Sequence, residues 1–131
     1  MHGARARGNV VTFDLYPYIY PSTRLVALIP EWAHDGGTQR LRERMQDADE
    51  RARMAQDPEF ARRDYRAARV TNFHLPEHKR FEGMSVAEIG EAMGKPPVDV
   101  LCDLLLAENL DLASVRISGN PVTIREFFRD A

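Results

Sequence analysis

Four histidines, His2, His34, His74 and His78, are the first residues to weigh for chemistry, and only the last two have a spacing that suits a metal. Two imidazoles four residues apart share one face of a helix, as in a zinc protease. Here Pro76 stands between them and no glutamate follows His74 directly, so ordinary loop histidines are the better reading. His34 beside Asp35 has the elements of a base and its orienting carboxylate, but two polar residues ahead of Gly36-Gly37 read first as a turn. Cys102 is the only cysteine, which excludes an intrachain disulfide and a cysteine-rich zinc site. Its setting, VDVLCDLLLAENL, predicts a buried thiol on an apolar helix and not a nucleophile. The chain has no glycine-rich phosphate loop, no G-x-S-x-G turn and no adjacent Ser/His/Asp pattern. The residues by themselves therefore nominate no catalytic group and no metal ligand. One segment stands apart: Tyr16-Pro17-Tyr18-Ile19-Tyr20-Pro21-Ser22-Thr23 places phenols and hydroxyls, which donate to a carboxylate, directly after an apolar run. An aromatic core followed by a turn explains the same composition.

The elements that would position these groups follow from periodicity. Residues 10–20, VVTFDLYPYIY, read as a buried strand over 10–18 that runs into irregular chain, its continuous apolarity being typical of a strand covered on both faces. Arg69–Phe73 and Ala113–Ser118 are two short strand candidates. Between the first and last strands, from about residue 36 to 110, the chain reads as helical. Leu41, Met45, Ala48 and Ala52 predict one amphipathic helix from Thr38 to about Gln56, opened by Gly36-Gly37. Asp57-Pro58 predicts a second helix start. Ser85 and Glu88 have capping-box spacing, for a helix that Gly94 closes. Val98, Leu101, Leu104, Leu105 and Leu106 mark the most apolar helix, and Asn120-Pro121 starts a last one, so that 113–130 carries a short strand and a helix. The expected fold class is α+β, mainly helical, as one domain over 1–131.

At 131 residues with 44% apolar content the chain is long enough for one core. Its 18 basic and 20 acidic residues are interleaved, which argues against a nucleic-acid module. Nine arginines fall between Arg40 and Arg69, but seven acids lie among them, so a solvated helical face is expected and not a polyanion site. No apolar stretch reaches about 18 residues, and the start does not read as a signal peptide, so no membrane partner and a cytoplasmic setting are expected.

Several blocks resemble one known family. Ala4-Arg5-Ala6-Arg7-Gly8 is followed by Val11-Thr12-x-Asp14-x-Tyr16-Pro17-Tyr18, then Ser22-Thr23 and Leu25, then Ile29-Pro30-x-Trp32-Ala33-His34-x-Gly36-Gly37. Later come Phe81-x-Gly83-Met84-Ser85-x-Ala87-Glu88-Ile89 and Gly94-Lys95-x-Pro97-x-Asp99-x-Leu101-x-Asp103-Leu104-Leu105. Together they resemble the N-acyl-D-amino-acid deacylases (D-aminoacylases) of the amidohydrolase superfamily, over nearly the whole chain. The resemblance implies an insert portion of a (β/α)8 barrel, lying between the family's late metal-ligand histidine and its catalytic aspartate. It implies a longer zinc-dependent parent in which metal-bound water attacks the amide carbonyl and the aspartate acts as acid and base. By the same resemblance the metal ligands precede Met1 and the aspartate follows Ala131, so this chain alone is expected to be inactive and to hold no cofactor. Tyr16 and Ser22 match family residues that hold the substrate carboxylate. Around Val115-Arg116-Ile117-Ser118-Gly119-Asn120 the sequence departs from the aromatic and Met-rich pattern of the acyl-side pocket, and a related amidohydrolase with another preference is the alternative parent. The implied partners are the rest of the barrel and the N-acyl-D-amino acid. An orphaned first strand would pair with a second copy, so a homodimer through residues 10–18 is expected. Two readings from other classes stand beside this one: an independent helical interaction or regulatory module, and a small metal-binding protein using His74 and His78.

Overall fold

The computed structural model describes residues 20–116, which lie within one compact unit. The strand expected at 10–18, the dimer expected through it, Tyr16 and the helix after Pro121 lie outside the described residues.

Gly36 and Gly37 both adopt positive φ, 89° and 83°, a turn that side-chain-bearing residues resist, and α1 (Gly37–Gln46) starts directly from it. Its Leu41 and Met45 are buried. The single helix expected over 38–56 breaks at Asp47. That residue is extended, and its carboxylate accepts the Glu50 N–H at 2.9 Å, capping a new helix α2 (Ala48–Gln56). A short acidic side chain that satisfies a free amide favours a restart over continuation. The break also turns the face: Ala48 and Ala52 are exposed, and Met54 is the residue that α2 buries. Asp57 then accepts from the amides of Glu59 and Phe60 above Pro58, but α3 (Pro58–Ala61) is only one turn long.

The capping box forms in full. Ser85 Oγ accepts the Glu88 N–H at 3.2 Å and Glu88 Oε2 accepts the Ser85 N–H at 2.7 Å, starting α4 (Val86–Met93), which Gly94 closes at φ 66°. Pro97 opens α5 (Pro97–Ala107), which buries Val98, Val100, Leu101, Cys102, Leu104 and Leu105 and packs against α1, α2, α4 and the 3-10 turn Leu25–Leu28. Two further 3-10 turns, Glu31–His34 and Pro76–Phe81, were not marked by periodicity. In the α4–α5 corner Gly90 is buried, and a Cβ there would stand 2.8 Å from the Lys95 carbonyl oxygen. Lys95 N–H in turn donates to Gly90 O. Alanine raises helix propensity but must displace backbone, so Gly90→Ala is expected to destabilise the fold by about 1–3 kcal/mol. Urea unfolding checks this, and a variant more stable than the parent would refute it.

Strands β1 (Ser22–Arg24), β2 (Ala68–Thr71) and β3 (Ala113–Arg116) form an antiparallel sheet in the order β1-β3-β2. The two short strands were expected within two residues of these bounds. β1 was not: Ser22-Thr23 read as part of a turn region, yet Ser22 pairs with Val115 and Arg24 with Ala113. Three exposed polar residues carry no alternation, and what makes them a strand is the backbone ladder offered by β3. The result is α+β and mainly helical, as expected. Among the described residues no helix is long and apolar enough to cross a membrane.

Candidate functional site

Antiparallel register sets the two faces of the sheet. Thr23, Ser114 and Val70 align across the strands on the face turned to the core, where Ser114 and Val70 are buried. Ser22, Val115 and Arg69 align on the opposite face, with Arg24, Ala113 and Thr71 forming the next row. Ser22 is exposed there. Both arginines of this face are ion-paired, Arg24 with Asp111 at 3.3 Å and Arg69 with Glu88, and both pairs are solvent-exposed and therefore weak. Tyr20, two residues before Ser22, is about half exposed. The face thus presents the hydroxyls of Ser22 and Thr71 and two guanidinium groups, each engaged by a carboxylate of the chain.

The histidines do other work. Glu108, its side chain fully buried, accepts the His74 N–H at 2.9 Å and the Leu75 N–H at 3.3 Å, and lies 2.7 Å from His78 Nδ1. Burial alone would raise its pKa, but the His74 amide, the His78 ring and the Leu75 amide together hold it below the ordinary value. His74 turns its ring outward, with Nε2 3.2 Å from Asp111 Oδ2. The ring of His78 packs near Phe73 and Phe81, and Glu82 accepts the amides of Asn72 and Phe73. The two histidines four apart therefore point at different carboxylates. Among the described residues no three His, Cys, Asp or Glu side chains gather as a metal would require. Glu108, with its bonds satisfied and no solvent access, locks the 72–82 segment to the end of α5.

His34 ends the 3-10 turn Glu31–His34, and the adjacent Asp35 uses its backbone to cap that turn. Trp32 of the same turn is covered by the Arg53 guanidinium, 3.9 Å from the ring centroid, so the tryptophan fastens α2. Cys102 is fully buried, and burial pushes its thiol up to about 12, far from a nucleophile at neutral pH.

Five of the nine arginines between Arg40 and Arg69 pair with carboxylates. Arg40 pairs with Glu43, Arg53 with Glu50 and Arg66 with Glu91. Arg51 reaches further: it donates to Asp99 at 3.0 Å, to Asp103 at 2.7 Å and to Met45 O at 2.6 Å, joining α2 to α5. Lys95 adds a second cation to Asp103 at 2.6 Å. Burial would raise the Asp103 pKa, but its bonds to Lys95 and Arg51 lower it overall.

Sequence reasoning named Ser22 and missed Glu108 and Arg51, since an acid closing an apolar run and one arginine among nine carry no local mark of their partners. No family model, no curated protein and no solved structure matches the chain.

Proposed function

We propose that this chain is the non-catalytic, substrate-side insert of a longer metal-dependent amidohydrolase that cleaves the amide bond of N-acyl-D-amino acids. The reading starts from the resemblance of the Tyr16-Pro17-Tyr18, Ser22-Thr23 and Pro30-x-Trp32-Ala33-x-x-Gly36-Gly37 blocks. The observation that supports it is the exposed position of Ser22 on the sheet face that also carries Arg24 and Arg69, each ion-paired. A hydroxyl donates one hydrogen bond to a carboxylate without adding charge. Tyr16 would contribute a phenol to the same carboxylate. By the same resemblance zinc belongs to the parent, and no step in this chain runs through it. In the parent reaction water adds to the acyl carbon, the C–N bond breaks and the amine leaves with a proton. The chain's own part is to orient the substrate by its carboxylate.

The test is hydrolysis of a panel of N-acetyl-D-amino acids with added zinc, by this chain and by the longer parent in parallel. Activity is expected only in the parent. Ser22→Ala in the parent removes one charge-assisted hydrogen bond, so KM is expected to rise about tenfold or more with kcat nearly kept. Turnover by the isolated chain, or a parent inert towards every D-substrate, would overturn the reading.

A further inference from the structure

Asp35-Gly36 is the one Asp-Gly pair in the chain, and both residues are exposed. Such a pair has a chemistry of its own, because the glycine carries no Cβ to keep its amide nitrogen away from the aspartic side chain. Gly36 N bonds to Asp35 Cγ, the amide proton and the carboxyl hydroxyl leave together as water, and a five-membered imide forms. Water reopens the ring at either carbonyl. Attack at Cγ restores the aspartate. Attack at the main-chain carbon leaves the chain running through the side chain as an isoaspartate, one carbon longer. Only water leaves and returns, so no other reagent is required.

The folded conformation opposes the first step. The imide is nearly flat, so Gly36 N must come round to the side of the Cα–C bond on which Cβ stands. With Asp35 at φ −60° and ψ 129°, the carbonyl oxygen lies nearer to Cβ and Gly36 N is turned more than a right angle away. Ring closure therefore needs rotation about that bond. Asp35 O and Gly36 N belong to one planar peptide unit, so neither turns without the other.

Asp35 O is the atom that the fold grips. Arg44, on α1, donates from one terminal nitrogen to Asp35 O at 2.5 Å and to Ala33 O at 2.8 Å. Ala33 is fully buried, so the second bond ties the guanidinium to a fixed point. On the other flank the Asp35 N–H donates to Trp32 O at 3.3 Å. Beyond the pair, Gly36 at φ 89° leads directly into α1, which Leu41 and Met45 anchor in the core. Turning the plane breaks a bond to a charged donor, the stronger kind.

We infer that Asp35 is a latent isoaspartate site, and that Arg44 keeps it closed by holding the peptide plane that ring formation must turn. The inference is independent of the function proposed above.

The 131-residue chain is incubated at neutral pH, folded and in guanidinium chloride. Isoaspartate is counted by enzymatic carboxyl methylation and located by mass spectrometry in the tryptic peptide 25–40. The folded chain is expected to form it at least about tenfold more slowly than the unfolded one, and Arg44→Met, folded by circular dichroism, at least about threefold faster than the unaltered folded chain. Leu101→Ala separates this hold from stability at large: it weakens the core away from the turn and should leave the rate within about twofold. Should Arg44→Met not fold, Arg44→Lys, which keeps a cation on a shorter stem, is read in its place. Equal rates in the folded and unfolded chain would overturn the inference. So would a folded Arg44 variant no faster than the unaltered chain, or an acceleration by Leu101→Ala as large as that of the Arg44 variant.

Discussion

Replacing Glu108 by alanine is expected to lower the unfolding free energy by about 3–5 kcal/mol, because it removes a fully buried acceptor and leaves two backbone amides and an imidazole facing nothing. The loss is local in origin and global in effect, since the 72–82 segment carries Phe73 and Phe81 into the core. The same carboxylate makes stability depend on acid. Its folded pKa lies below the ordinary value of 4.5, despite burial, because of the bonds to His74, His78 and Leu75. A depressed carboxylate contributes fully above its unfolded pKa and loses that contribution as pH falls through the lower, folded value. The protein should therefore weaken progressively below about pH 4.5, and Glu108→Gln should flatten that part of the curve. Asp103 is shifted in the same direction and will keep some slope in the variant. Urea titrations at pH 7 and pH 4 measure both effects. A Glu108→Ala protein within about 1 kcal/mol of the parent at pH 7 would show that the bonds to Glu108 are not what holds the segment.

Leu101→Ala should be comparably damaging. Leu101 is fully buried on α5, the element that touches three other helices and the Leu25–Leu28 turn. Alanine is at least as good a helix former as leucine, so backbone preference cannot cause a loss. What remains is the removed apolar volume and the cavity it leaves, together about 2–5 kcal/mol. The expected result is a lower urea midpoint with an unchanged m-value. A change below about 0.5 kcal/mol would mean that the surrounding helices collapse freely onto the site, contrary to a core joined on several sides.

Much of the helical part could be read from local chemistry. Ser85 with Glu88, Asp57 with Pro58 and the Gly36-Gly37 pair satisfy or permit something within four residues of themselves, so sequence alone reveals them. Asp47 could have been read as a cap, but the spacing of Leu41, Met45, Ala48 and Ala52 continued across it, and two alanines are too small to show which face is buried. β1 was hidden for a different reason. Ser22-Thr23-Arg24 has no strand pattern of its own and takes its conformation from a partner at the far end of the described chain. The candidate site divides in the same way. Ser22 was reached through resemblance of sequence blocks, not through any property of the residue. Glu108 and Arg51 matter through partners that only the folded chain defines.

The sheet order has a consequence for synthesis. β3 lies between β1 and β2, although both are made before it. When Arg24 leaves the ribosome its pairing residue, Ala113, is still about 90 residues away, a delay on the order of ten seconds at about 5–20 residues per second. During that interval neither flanking strand can pair as it does in the finished sheet. β1, being three polar residues long, offers little for another nascent chain to capture while it waits.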